Sequence, residues 1–292
     1  MEKREFNFSY IFFVSIISAL GGLLFGYDWV VIGGAQPHYE SYFIAHSDLW
    51  ASAKAGTASV RFEWLQGFAM SSALWGTLIG AMISGWVADR YGRKKPLVLS
   101  AFLFTLSAVW VGSIDQPWWF GGAGAVMNGF SGFMCARILG GIGIGLASML
   151  SPLIIAEVSP SAYRGRLVSL NQLTIVIGIL AAQITNFFIG RFHVPADPAW
   201  VESARLQWAA NMSAEGWRWM FLAGAIPAGI FLIFSFFLPE SPRWLTKSGK
   251  PEQAARILRQ IGKSDYADSE LAAIQATVSH ESGKVNLKYL LD

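Results

Sequence analysis

Few residues in this chain are equipped for chemistry inside an apolar environment, and Asp28 is the first of them. It closes the stretch Gly21-Gly22-Leu23-Leu24-Phe25-Gly26-Tyr27-Asp28, in a run that is otherwise apolar from Tyr10 to Gly34. A charge at bilayer depth is costly, so an ionisable residue there is functional by default and has a partner. The plainer reading is that the helix ends near Asp28 and its carboxylate reaches headgroups. Arg137 is the matching cation, in a second apolar run that carries Gly140, Gly141, Gly143 and Gly145. Gln172 and Gln183 stand in a third run, and at 3.6 residues per turn they fall within about 20° of one helix face. An amide offers donors and acceptors together, which suits hydroxyl-rich solutes in a dry cavity. Hydrogen bonding between neighbouring helices uses such amides equally well.

The elements that position these residues are membrane spans. The chain of 292 residues is 53% hydrophobic and 14% charged, against about 25% charge in a typical soluble domain. Thirteen Trp and thirty Gly fit interfacial aromatic belts and close helix packing. Six stretches approach the roughly 20 apolar residues a span needs: Tyr10–Gly34, Trp64–Ala88, Pro96–Ser113, Phe133–Ala156, Leu167–Gly190 and Trp217–Leu238. Gly121–Gly132 is apolar but short and Gly-rich, and reads as an outer loop or helix entry. The first run is too long for a signal-peptide core and lacks a small-x-small cleavage site, so it reads as a retained helix. The expected fold class is all-α integral membrane, with residues 1–240 as a six-span unit and 241–292 as a cytoplasmic helical segment.

Lys and Arg set the orientation. With a cytoplasmic N-terminus, sixteen basic residues fall inside and five outside, with Arg137 in a span or at its edge. Both ends then face the cytoplasm, in a plasma or inner membrane. The net charge of +3 is thus distributed by topology and is no argument for nucleic acid. The outer segments 35–63 and 191–216 read as long loops. After Pro239 the composition turns soluble, and Pro251–Gly262 and Asp268–Val278 have helical periodicity with Ala254, Ile257, Leu258 and Ile261 on one face. These pieces are expected to pack as a cap under the spans. Cys135 is the single cysteine, so there is no disulfide framework. No metal cluster, nucleophile constellation or phosphate loop supports an enzyme, and no cofactor is expected.

Helix geometry places Asp28 and Arg137 at one depth. Arg137 lies 20 residues before Glu157, at the inner end of its span, or roughly 30 Å at 1.5 Å per residue. Asp28 lies 18 residues past Tyr10, or roughly 27 Å from the same side. A carboxylate and an always-charged guanidinium at matched depth are natural partners. A pair that parts leaves the carboxylate desolvated, which favours taking up a proton. Protonation would then be linked to the way the bundle opens. A static pair that merely holds two helices together is the competing reading.

Several charged motifs lie on the inner side. The loop after the second span runs Gly85-Trp-Val-Ala-Asp89-Arg90-Tyr-Gly92-Arg93-Lys94-Lys95, and its whole pattern matches the loop signature of the major facilitator superfamily. Glu157 is followed by Arg164-Gly165-Arg166, and the sixth span ends in Pro239-Glu240-Ser241-Pro242-Arg243-Trp244-Leu245. With the Gly-Gly-Leu-Leu-Phe-Gly-Tyr-Asp opening, these motifs resemble the sugar porter family of that superfamily over about Tyr10 to Gly262. The look is nearest to bacterial D-xylose or glucose–proton symporters, which have an acid at the place of Asp28.

The resemblance implies an N-terminal six-helix bundle of two inverted three-helix repeats, with proton-coupled transport of a monosaccharide across the lipid bilayer. It implies that Phe25 and Gln172 contact the sugar, with Gln183 as a further candidate, and that Asp28 and Arg137 couple the proton. It further implies an inner gate network of Asp89, Arg93, Glu157, Arg164, Glu240 and Arg243; solvated surface charge explains those residues equally well from sequence. Xylose symporters carry a second Gln where this chain has Ile179, so pentose and hexose stay open. Such carriers have two six-span halves, and this chain has one. The partner expected is a C-terminal six-helix half. The alternative is a non-transporting truncated porter or a sugar sensor.

Overall fold

The computed structural model describes residues 6–55, 59–114, 129–191 and 199–281. Ten helices are described: α1 Phe8–His46, α2 Asp48–Ala55, α3 Ser59–Tyr91, α4 Lys94–Gly112, α5 Gly129–Val158, α6 Arg164–Arg191, α7 Ala199–Ser235, α8 Pro242–Lys247, α9 Pro251–Ile261 and α10 Ser264–Glu281. Six of them, α1 and α3–α7, are long and apolar enough to cross a membrane. The fold is the six-helix half of the major facilitator architecture, with α1, α3 and α4 as one repeat and α5, α6 and α7 as the other.

The packing follows that repeat. The first helix of each repeat lies along the second helix of the other, α1 on α6 and α5 on α3, while α1 also meets α5 and α4 meets α7. Both long crossings use the same device. At α1/α6 a Cβ on Gly26 would overlap the Ile175 carbonyl, and one on Gly178 the Leu23 carbonyl. At α3/α5 the same holds for Gly141 over Ala73 and Gly76 over Ile138. Helices in lipid gain little from apolar burial against each other, so close backbone approach supplies the attraction.

Two helices run further than their hydropathy suggested. Segment 35–63, expected as a loop, begins as a continuation of α1 to His46 and then forms α2. Its Tyr39, Tyr42 and Phe43 are buried with Trp50, Phe133 and Trp217 in an aromatic outer core. One face of this extension is covered by protein, while His38 and Glu40 are half-buried and His46 is exposed on its other side. Similarly α7 starts at Ala199, not near Trp217, because no Gly or Pro interrupts 199–215. The Gly-rich stretch is helical from Gly129, and its earlier part lies outside the described residues, as do Lys284 and Lys288.

A second core is aliphatic and continues into the helices after Pro239, where Ala254, Leu258 and Ile261 of α9 are buried. The start of the chain is tied to them. Phe6 bridges Gly262, the Asn7 N–H donates to the Ile261 carbonyl at 2.8 Å, and the Phe6 ring meets Tyr266 and Tyr163 edge-on at 4.9 and 6.3 Å. Burial, with Glu270 adding and Arg164 opposing, pushes the Tyr266 phenol up to about 12.

Candidate functional site

The α1/α5 contact carries a buried ion pair. Arg137 Nη1 donates to Asp28 Oδ1, with side-chain exposures of 3% and 10%. Arg137 Nε is buried without a hydrogen-bond partner, and the guanidinium carbon lies 5.0 Å from the centroid of the Phe221 ring. Ser107 of α4 donates to the Ala136 carbonyl at 2.6 Å beside it. Tyr27, the neighbour of Asp28, donates its hydroxyl to the Met220 carbonyl at 2.7 Å and so ties α1 to α7.

A cavity of about 300 Å³ opens beside the pair between α1, α3 and α5. Phe25, Asp28, Trp29, Met70, Thr77 and Arg137 are among its walls, and Phe25 stacks on Trp29 at 6.2 Å. The arrangement sets a carboxylate, a guanidinium and two aromatic rings on the wall of one small cavity. Gln172 and Gln183 are elsewhere. Both are exposed on α6, neither lines this cavity, and no hydrogen bond joins either to a described residue. The side of α6 against α1 uses Asn171 and Thr174 instead, with Thr174 donating to the Ala19 carbonyl at 2.6 Å.

On the inner side the motifs assemble into a knot around Arg93. Its Nε and Nη2 donate to the two oxygens of Glu157 at 3.0 and 3.1 Å, and Nη1 to the Ala88 carbonyl at 3.0 Å. Asp89 stands 3.5 Å from Nη1, and its carbonyl accepts from Trp244 Nε1 at 2.9 Å. Glu240 joins through backbone: its Oε1 accepts from the N–H groups of Arg93, Lys94 and Ser241 at 2.7, 3.2 and 2.9 Å. A carboxylate there caps the N-terminus of α4 and complements its dipole. Gly92, at φ 91°, makes room, since a Cβ would overlap the Glu240 carboxylate.

Arg164 and Arg243 stand beside the knot and share Glu157 with it. They line a separate cavity of about 320 Å³ with Glu157 of α5 and Glu270 and Ile274 of α10. Sequence reasoning missed Phe221, Tyr27 and Trp29. Tyr27 adjoins Asp28 and was there to be weighed, whereas nothing in the sequence marks Phe221 as facing Arg137. Among the described residues no cluster of His, Cys, Asp and Glu could hold a metal ion.

This fold and its charge motifs define a major facilitator half. The family model for sugar (and other) transporters matches residues 14–291, and the chain belongs to that family. It is 38% identical to the D-xylose-proton symporter of Escherichia coli K12, over 95% of this chain and 53% of that protein. It is 39% identical to the glucose transport protein of Synechocystis sp. PCC 6803, over 94% of this chain and 50% of that one. A solved structure of a proton:xylose symporter bound to 6-bromo-6-deoxy-D-glucose matches with a TM-score of 0.79 at 36% identity, covering 98% of this chain and 57% of that one. The chain spans about half the length of the curated relatives it matches.

Proposed function

We propose that the chain is the N-terminal half of a proton-coupled monosaccharide transporter for a xylose- or glucose-like sugar. In this reading Asp28 takes and releases the proton and Arg137 is its counter-ion. The observation that carries the reading is a buried, hydrogen-bonded Asp–Arg pair in the outer half of a sugar-transporter fold. Relatives named as proton symporters of xylose support the coupling and the substrate class.

A C-terminal six-helix half is the partner in this reading. Gln172 and Gln183 sit unpaired among exposed Leu173, Val176, Ile177, Leu180 and Ile184 on one membrane-spanning helix. Amides facing lipid are costly, so a protein face and a sugar covering α6 account for them better. Phe25 joins them as a sugar contact from the wall of the outer cavity. The Arg93 knot, with Arg164 and Arg243 beside it, serves the inner gate, and both termini are cytoplasmic.

The pair acts as a switch because each state has a cost. Ionised, the two charges compensate each other; separated, the carboxylate sheds its charge by taking a proton, and the helices change their relation. In the assembled transporter, Asp28→Asn abolishes uphill sugar uptake and leaves sugar exchange intact. Retained accumulation in a proteoliposome assay overturns the reading.

A further inference from the structure

A proton on Asp28 poses a problem that the ion pair does not solve. It leaves the Arg137 guanidinium, a group 3% exposed and always charged, without its counter-ion. Leaving one partner of a buried pair uncompensated is strongly unfavourable. Among the described residues, one aromatic ring faces the cation at this point. The ring of Phe221 on α7 presents its face to Arg137 at 5.0 Å, within the range of a cation–π contact. That ring is 4% exposed and is braced edge-on by Phe133, one turn before Arg137 on α5, at 6.0 Å.

We propose that the Phe221 ring is the second seat of the Arg137 guanidinium, taking the cation when Asp28 is neutral. This inference rests on the reading of Asp28 as the proton carrier. Phe221 is a positioning residue in it: it touches neither sugar nor proton and acts through Arg137. In the ionised state the pair is close to neutral as seen by the ring, so the quadrupole contributes little. With Asp28 neutral the ring faces a full positive charge and contributes most. The orphaned Nε of Arg137 is consistent with a guanidinium that is not locked to one partner.

The surroundings leave few competitors. Tyr27 and Tyr39 of α1 are the other titratable groups that sense the pair, Tyr27 through Asp28 and Tyr39 through Arg137. The apolar stretches 64–88 of α3, 96–112 of α4 and 167–190 of α6 contain no titratable residue. Arg218 of α7 rests over Tyr42 and Trp217 instead, at 4.4 and 4.7 Å.

The test is fluorine NMR of the whole chain in lipid nanodiscs, with Phe221→4-fluorophenylalanine as a near-isosteric probe. The resonance is followed against pH in the parent, Asp28→Asn and Arg137→Gln backgrounds. The expected result is that acid moves the resonance to the position it holds at all pH values in Asp28→Asn, and that Arg137→Gln removes the movement. A resonance unmoved by Asp28→Asn, or a movement that persists in Arg137→Gln, overturns the inference. A shift caused by Asp28→Asn in a protein whose parent resonance ignores pH sustains the second seat and overturns the proton reading instead.

Discussion

Arg93 and Arg137 are buried arginines that each meet a carboxylate, and they are equipped in opposite ways. Arg93, at the inner end, donates from Nε, Nη1 and Nη2 to Glu157 and the Ala88 carbonyl, while its own N–H is held by Glu240. Arg137, in the outer half, hydrogen-bonds to Asp28 alone among the described residues, and its Nε is left over. A saturated network in low dielectric resists every partial rearrangement, since each broken bond leaves a buried group unpaired. An under-supplied pair has less to lose on parting, and an aromatic face is waiting. The contrast assigns holding to the inner arginine and moving to the outer one.

The contrast is broken most forcefully at Arg93. Arg93→Met strips Glu157 of two hydrogen bonds and leaves the Ala88 carbonyl with the Gly92 N–H as its one remaining donor, and costs about 3–5 kcal/mol of stability, the range for removing one partner of a buried pair. Thermal unfolding of the purified chain in detergent measures it, and an unchanged midpoint refutes the holding role. Double replacements sharpen the comparison. Asp28→Leu with Arg137→Leu removes both outer charges together and leaves stability within about 1–2 kcal/mol of the parent, because an isolated ion pair often exchanges for apolar residues at little cost. Arg93→Leu with Glu157→Leu stays more costly, since the Ala88 carbonyl loses one of its two donors and Asp89 its neighbouring cation. Equal losses in the two double variants erase the distinction. A smaller effect is expected at Gly92→Ala, where a positive φ and the adjacent Glu240 carboxylate together cost about 1–3 kcal/mol. Its unfolding midpoint falls between those of the parent and Arg93→Met.

The spans were legible because hydropathy over twenty residues is a strong signal, and the depth agreement of Asp28 and Arg137 because helix rise is fixed. Rotation about each axis is not written in spacing. The sequence put Asp28 and Arg137 at one level, but could not show that Phe221 comes to the same point from α7. Rotation also explains Gln172 and Gln183, which share a face as their spacing requires, yet face away from the Asp28 cavity. The outer extension of α1 was hidden because its apolar residues are aromatic and interrupted by His38, Glu40 and His46. Glu240 was legible as a charge but not as a cap: the same side chain near Lys94 and Arg93 reads as an ion pair until the backbone amides are seen beneath it. Arg164 and Arg243 line a cavity together with Glu157, a seat that their motifs do not specify.

The clasp between Phe6 and the α9–α10 turn bears on how the chain is made. Phe6 leaves the ribosome some 256 residues before its socket of Gly262 and Tyr266. At about 5–20 residues per second, the wait is on the order of 10–50 s. During synthesis the inner end of α1 therefore lacks its seat, although α3 to α7 are already available to pack. The N-terminal segment closes after α7 has been made, and its docking reports that α9 and α10 have arrived. A nascent chain stalled before Gly262 would expose that end to a protease that the finished molecule excludes.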